Sequence, residues 1–375
     1  LSVGDIVLLD TVTLPVGTGY VDADFENKLF QVTSITSATV FTITQSTAAT
    51  ATVGTGGSLS VKPYEQVGPA EQSYGYGWGI DTWSSGKWGE AASASDVSLE
   101  PGLWSLSNFG QVLVATIANG KTFTWNAGDA ARLTTRASTA TSGFETTNNP
   151  TATRITLVSP TTRHLIHLGT ETTIGDPTTQ DDMFIRFSDQ EDINDYVPTA
   201  INSAGSQRLQ DGTRIIGALK AKESILVWTD NALYTMKFIG APFTFGFEQV
   251  GTNCGLIGKN AAIEIDGIAF WMSSNGFFMF DGTVKSLPCS VEDYVYDQAD
   301  TTKGQQVYAG INNLFTEVVW YYPSTSSEYN DQYVVFNYGE PLKGGVWYIG
   351  TEARTSWIDA TVYQKPIATK FDSTT

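Results

Sequence analysis

Three dipeptides within one stretch, Gly258 to Cys289, most constrain what this chain can fold into: Asp266-Gly267, Asn275-Gly276 and Asp281-Gly282. Asn-Gly and Asp-Gly favour type I′ hairpin turns, because both central residues there need positive φ and these residues adopt it with least strain. The runs between the turns are short and apolar: AAIEI, IAFWM, FFMF and VKSL. Side chains alternate across a strand, so Ile263 and Ile265 share one face, as do Phe278 and Phe280. The spacing predicts a four-stranded antiparallel meander of about thirty residues, the size of one β-propeller blade. The preceding Ile225 to Gly240 reads as a hairpin of the same style, turning at Asp230-Asn231, with Ala232, Tyr234, Met236 and Phe238 on one face. Expected core positions are Ile225, Val227, Phe270, Phe278 and Phe280.

The rhythm extends in both directions. PGLWSLSNFGQVLVATIANGKTFTWNAG turns at Asn108-Phe-Gly110 and at Asn119-Gly120, and TRHLIHLGT with MFIRFSDQEDINDYVP continues it. NLFTEVVWYYPSTSSEYNDQYVVFNYGEPLKGGVWYIG, residues 313–350, reads as the last unit. Roughly five units at a spacing of about forty to fifty residues match a propeller count. Only 16% of residues are charged and 36 are Gly, a composition that favours strands and turns over long amphipathic helices. The expected fold class is all-β, a β-propeller-like body of short antiparallel meanders with an additional small β domain.

Three regions follow. Residues 1–62 carry their own turn set and read as a small β-barrel-like domain, with Val3, Ile6, Val7 and Leu8 around a Gly4-Asp5 turn and a Ser37-Ala38 turn between two later strands. Residues 63–100 form a Gly/Trp-rich linker in which Trp78, Trp83 and Trp88 recur every five residues. That period fits neither helix nor strand, so the rings either anchor a neighbouring subunit or fold back on their own chain. Residues 101–375 are the propeller body. The chain opens on Leu1 within a strand-like pattern, as expected of an internal piece of a longer polypeptide.

Charge and motifs exclude several functions. The formal net charge of −18, without a Lys/Arg cluster, argues against a conventional DNA binder. No apolar run approaches the length that spans a bilayer, so no membrane insertion is expected. Cys254 and Cys289 read as buried small hydrophobes in a reducing compartment. The densest acidic run, Asp189, Glu191, Asp192 and Asp195, fails as a calcium loop: Ile193 stands at position five and Ala200 at twelve. It reads as a solvated turn. His164 and His167, three apart in a strand-like run, fall on opposite faces and suit no shared metal. There is no Gly-x-Ser-x-Gly motif, and the carboxylates Asp181, Asp182, Asp266 and Asp281 sit mostly at expected turns. No catalytic, cofactor-binding or metal-binding residue is assigned.

SDQEDINDYVP, ILVWTDNALYTMKFIGAPFTFGFEQVGTNCGLIG, IAFWMSSNGFFMFDG and the earlier GYGWG run, in that spacing, resemble the tail nozzle proteins of short-tailed bacteriophages. This group includes packaged-DNA stabilisation proteins and the tail tubular protein B type. The resemblance covers about residues 74 to 360 and implies a structural virion protein, not an enzyme. Such a protein is built on a β-propeller, assembled in the bacterial host cytoplasm as a six-fold homo-oligomeric ring, and placed in the virion tail. Its partners would be a tail adaptor protein, tail fibre or spike proteins, and double-stranded DNA passing without sequence-specific binding. An acidic wall suits a conduit, since it repels the duplex. On this reading Asp189, Glu191, Asp192 and Asp195 are candidates for the channel lining, and Trp78, Trp83 and Trp88 for subunit contacts. The alternative is a glycan-binding or glycan-cleaving propeller of a phage tail, marked by a cleft with paired carboxylates beside an exposed Trp.

Overall fold

The computed structural model describes residues 6–37, 40–53, 56–64, 101–132, 137, 149–339, 346–360 and 363–371. The chain divides into two compact units, Leu1–Val67 and Gly68–Thr375. Trp78, Trp83 and Trp88 lie outside the described residues, as do the Gly4-Asp5 turn and Ala38.

The smaller unit holds β1 (Ile6–Thr13), β2 (Lys28–Ser37), β3 (Val40–Ile43) and β4 (Ser58–Tyr64) in one antiparallel sheet of order β3-β2-β1-β4. Val7, Leu9, Val12, Phe30 and Val32 form its buried face, with Phe25 and Phe41 against them. Among the described residues the strands make an open sheet rather than a barrel, with β3 and β4 as its edges. Pro63 and Tyr64, assigned to the linker by the sequence, belong to β4, where they pair with Val7 and Ile6.

The larger unit begins with a three-stranded first sheet, β5 (Trp104–Phe109), β6 (Val112–Ile117) and β7 (Thr122–Asn126). Four antiparallel meanders follow. The second sheet is β8 (Thr153–Val158), β9 (Leu165–Thr170), β10 (Phe184–Phe187) and β11 (Gly205–Arg208). The third is β12 (Ile215–Lys220), β13 (Ile225–Thr229), β14 (Ala232–Gly240) and β15 (Thr244–Thr252). The fourth is β16 (Ala262–Ile265), β17 (Ile268–Ser273), β18 (Gly276–Phe280) and β19 (Val284–Leu287). After the short helix α1 (Glu292–Gln298) comes the fifth, β20 (Tyr308–Asn312), β21 (Glu317–Pro323), β22 (Asn330–Asn337) and β23 (Val346–Thr351). A pair, β24 (Ser356–Ile358) and β25 (Ile367–Thr369), ends the described chain. The first strand of each meander lies beside the first strand of the next, from β8 through β12 and β16 to β20, and β24 lies beside β20. This is an all-β, β-propeller-like body of short antiparallel meanders.

Turn chemistry explains much of the register. Asp266 and Gly267 both take positive φ (52° and 89°) between Ile265 and Ile268, the geometry a type I′ turn demands. The other two Gly turns differ from expectation. Ser274-Asn275 is the loop that pairs Ser273 with Gly276, and Gly276 alone is left-handed there. At Asp281 the loop has three residues, and the Asp281 carboxylate accepts the Thr283 N–H at 3.4 Å.

Trp228, Trp271 and Trp320 each occupy the fourth position of the second strand of a meander, and all three are fully buried. Opposite them on the first strands stand Gly217, Ala262 and Ala309, small partners that leave an indole room. Trp271 and Trp320 donate their indole N–H to Cys254 O and Ala261 O, both at 2.9 Å, which ties each sheet to the segment before it. Of the expected core residues Ile225, Val227 and Phe270 are buried, whereas Phe278 and Phe280 are only half-buried. Phe277 is the fully buried ring of β18, meeting Trp320 and Trp347 at 5.1 and 4.8 Å between centroids. The reason is that β18 has neighbours on both faces: Phe278 stacks on Trp271 on the other side.

Candidate functional site

The acidic run lies in the connection between β10 and β11, and its carboxylates are committed to local bonds. Asp189 Oδ1 accepts from both the N–H and the hydroxyl of Ser203. Asp192 Oδ1 accepts the Asn194 N–H at 2.8 Å, and Asp195 accepts from Val197 N–H and from the Asn202 carboxamide. Glu191 pairs with Arg163 at 2.9 Å, both side chains about half-exposed. These are Asx-type bonds that shape a turn, so Asp has a backbone role at these positions. Burial alone would raise the Asp189 carboxyl, but the Ser203 bonds and the nearby His164 hold it below its ordinary value. Among the described residues no group of three or more His, Cys, Asp or Glu is placed to hold a metal ion.

Beneath the loop, two histidines pin it from below. His167 Nε2 meets the Tyr196 hydroxyl at 3.0 Å, with both residues buried. His164 bridges Thr162 Oγ1 (2.7 Å) and Ser203 Oγ (3.0 Å). Burial pushes His164 down to about 4 against the pull of Asp189, and burial with the neighbouring Arg186 pushes His167 down to about 3. Both imidazoles are therefore neutral at physiological pH and act as structural hydrogen-bonding groups.

The two faces of the second sheet differ. Toward the third sheet it is apolar: Ile155, Leu157, Ile166, Leu168, Ile185 and Phe187 pack with Ile215, Val227 and Met236. The opposite face carries Thr156, His167 and Arg186 side by side in register. Thr156 donates to Thr116 Oγ1 of the first sheet at 2.9 Å, and Thr116 shares a bond with Thr122. Arg186 donates to the carbonyls of Thr172 (2.8 Å), Glu171 (3.3 Å) and Tyr196 (3.5 Å). The Glu171 carboxylate, fully buried, accepts from Thr151 N–H, Ala152 N–H, Gly175 N–H and the Thr151 hydroxyl.

Next to the first strands, the space is filled by β5. Lys259 Nζ donates to Trp104 O (2.8 Å) and Ser105 Oγ (2.7 Å), and Lys220 Nζ to Ser107 Oγ (2.9 Å). Burial pushes the Lys259 ammonium down to about 8. A small cavity of about 20 Å³ beside Lys259 is lined by Leu103, Arg154, Ile155, Ile216 and Gln305. Among the described residues, β5 is thus packed against the first strands through Lys220 and Lys259.

A larger, open cleft of about 650 Å³ is lined by Asn119, Arg154, Gln180, Asp181 and Asp182. Asn119 comes from the β6–β7 turn, Arg154 from the start of β8, and the other three from the β9–β10 connection. Arg154 Nη1 reaches Asp182 Oδ2 at 3.4 Å and Asn119 Oδ1 at 3.5 Å. Asp181 pairs with Arg208 at 2.6 Å. Burial would raise the Asp181 carboxyl, but the Arg208 and Met183 hydrogen bonds hold it below its ordinary value. Sequence reasoning singled out Asp181 and Asp182 but not Asn119, Arg154 or Gln180; the Asn119-Gly120 turn was visible, whereas Arg154 sits unmarked in a run of β-branched residues. The four acidic-run residues do come together, but outside this cleft's lining.

No protein-family model and no curated protein matches the chain. Among solved structures it is similar to BamB from Moraxella catarrhalis, at 16% identity over 66% of this chain and 60% of that one, with a TM-score of 0.35. It is similar also to Hsv2 from Kluyveromyces lactis, at 12% identity over 66% of this chain and 62% of that one, with a TM-score of 0.34. The chain thus spans less than two thirds of either structure, and likenesses this distant carry no argument about what it does.

Proposed function

We propose that this chain is a structural subunit of a phage tail nozzle, without enzymatic activity, that assembles as a six-fold ring around exiting double-stranded DNA. It would sit in the virion tail beside an adaptor protein and fibre or spike proteins. The observation that carries this reading is a braced acidic loop on a propeller-like body of antiparallel meanders. On this reading the passage for DNA arises between copies of the chain. A loop held by Tyr196, Ser203 and two neutral histidines keeps its carboxylates in fixed positions. Fixed negative charge repels phosphate over about a Debye length, roughly 8 Å at physiological salt, so it acts only at a channel wall.

The loop's own bonds decide how to test this. Asp189 and Asp195 hold the turn together, whereas Glu191 and Asp192 are exposed. The double variant Glu191→Gln, Asp192→Asn should leave ring assembly intact and slow DNA release from virions. Release at the parental rate would contradict the lining role.

A second reading, the glycan-binding or glycan-cleaving propeller, is favoured by the cleft with Asp181 and Asp182. Cleavage requires one carboxyl to stay protonated near neutral pH. Asp181 is shifted the opposite way by Arg208 and the Met183 N–H despite its partial burial. This favours binding over cleavage at Asp181.

A further inference from the structure

Among its described residues the larger unit is a row of sheets packed face to face, and its two end faces differ from its middle. Inside the row each face is covered. The second and third sheets share one apolar core, and the third, fourth and fifth share another. The far face of the fifth sheet, with Val319, Tyr321 and Val335, is covered by Trp357 of β24. The Trp357 indole donates to Ile311 O at 2.7 Å, and a Cβ on Gly310 would stand 2.7 Å from its Cδ1. The other side of this last pair is open. Ile358 and Ile367, opposite each other across β24 and β25, alternate away from Trp357 and are 46% and 45% exposed. Leu314 and Phe315, both exposed, extend the patch, because the adjoining Asn313 N–H donates to the Asp359 carboxylate at 2.9 Å.

The first sheet is built inside out. Its face toward β8 carries the buried hydroxyls of Ser105, Ser107, Thr116 and Thr122. Three of these meet Lys259, Lys220 and Thr156 in turn. The register gathers Trp104, Leu106, Leu113, Ala115, Ile117 and Phe123 on the outward face. A sheet with one face in water ordinarily shows the reverse, apolar within and polar outside. Leu106 is 66% exposed, and Trp104 is 41% exposed with its ring 5.9 Å from Phe123. An apolar face turned outward in this way marks an interface.

Charge narrows the occupant to a second copy. The chain carries a net charge of −18, so copies associate only where apolar contact outweighs their repulsion. No strand position on either end face is ionisable, so a partner of opposite charge finds nothing there to pair with. We propose that the outward face of the first sheet in one copy packs on the Ile358–Ile367 face of the next. The contact repeats between chains the face-to-face packing found within one. It is head-to-tail, so it builds a ring where the rotation closes. This inference rests on the ring reading above and names the surfaces that make the ring. At ordinary strand spacing the first-sheet face covers about 300 Å², against roughly 800 Å² buried by each partner in a standard stable interface. Rings should therefore come apart on dilution.

Two variants of the purified chain, Leu106→Arg and Ile358→Arg, test this by mass photometry and electron microscopy. Each alone should be monomeric at concentrations where the parent forms rings. Both positions are exposed, so the melting temperature should not change. Mixed one to one, the variants should give dimers and nothing larger, because each supplies the end that the other lacks. Leu106→Ala, which adds no charge, should shift ring dissociation to a concentration about fivefold higher or more. Rings formed by either Arg variant, an equal mixture that stays monomeric, or unchanged dissociation of Leu106→Ala would overturn the proposal and leave the ring reading standing. So would a lowered melting temperature of Leu106→Arg at unchanged oligomer size, which would mean that the chain covers this face itself. A parent that is monomeric at every concentration would overturn both.

Discussion

Between the third and fourth sheets, Trp228 and Trp271 meet edge-on with centroids 5.3 Å apart, inside a core that runs on through Phe277, Trp320 and Trp347. Between the first and second sheets a small apolar cluster of Phe109, Val114, Val158 and Leu165 is joined by buried hydrogen bonds from Thr156 to Thr116 and between Thr116 and Thr122. On the same face of the second sheet as Thr156 lie His167, bonded to Tyr196, and Arg186, bonded to the Glu171 and Thr172 carbonyls. The first contact is non-directional and draws its strength from apolar area. The second is directional, and a slip by one position would leave buried donors and acceptors unmatched. At this contact His167 Nδ1 and Arg186 Nε are buried with no hydrogen-bond partner among the described residues. The directional contact is also where both candidate sites sit: the acidic loop hangs from His167 and Tyr196, and the cleft opens beside Arg154 and Asn119. Strength is gathered in one half of the body and positional definition in the other.

Substitutions that attack each half should separate these roles. The largest effect is expected from Trp271→Ala, which empties a fully buried indole site and removes the Cys254 O bond; about 3–5 kcal/mol should be lost in denaturant unfolding. Glu171→Ala at the polar contact strips the partner from three N–H groups and a hydroxyl, and about 3 kcal/mol should be lost by the same measurement. A loss there well below 1 kcal/mol would mean that the polar contact defines nothing.

The sequence made the apolar half readable. Asp266-Gly267 marks its turn through a backbone need that few residues meet, and ILVWT, IAFWM and EVVWYY repeat the buried tryptophan. What it concealed was direction. In a strand buried on both faces apolar residues do not alternate, so Phe277 could not be told from Phe278. β8, a β-branched run closed by the Ser159-Pro160 turn signal, and the helix α1 were missed, as was the closing pair β24–β25. The cleft was illegible because residues 119, 154 and 180–182 meet only through the packing of two sheets. The acidic run was legible as a turn, but that two histidines support it from below was not, since His164 and Ser203 are 39 residues apart.

Acid should weaken the polar half selectively. His164 and His167 have folded values of about 4 and about 3, below the unfolded value of 6.5. Their unfolded forms bind protons first, so stability is complete above about pH 6.5 and falls as pH drops toward 4 and then 3. The melting temperature should decline over that window, and His167→Gln should flatten the decline; an unchanged slope would remove His167 from the account. Smaller still, Tyr196→Phe should cost about 1 kcal/mol through loss of the hydroxyl contact to His167. Asp192→Asn, at an exposed turn position whose carboxamide oxygen can still accept the Asn194 N–H, should change stability by no more than about 0.5 kcal/mol.

The central claim is that this propeller-like body makes its passage between copies. Electron micrographs of the purified protein, classified without imposed symmetry, test that directly. The account predicts six-fold rings with an open axis wide enough for a duplex. Uniform monomers at every concentration, or rings whose axis is closed by the chains themselves, would contradict it.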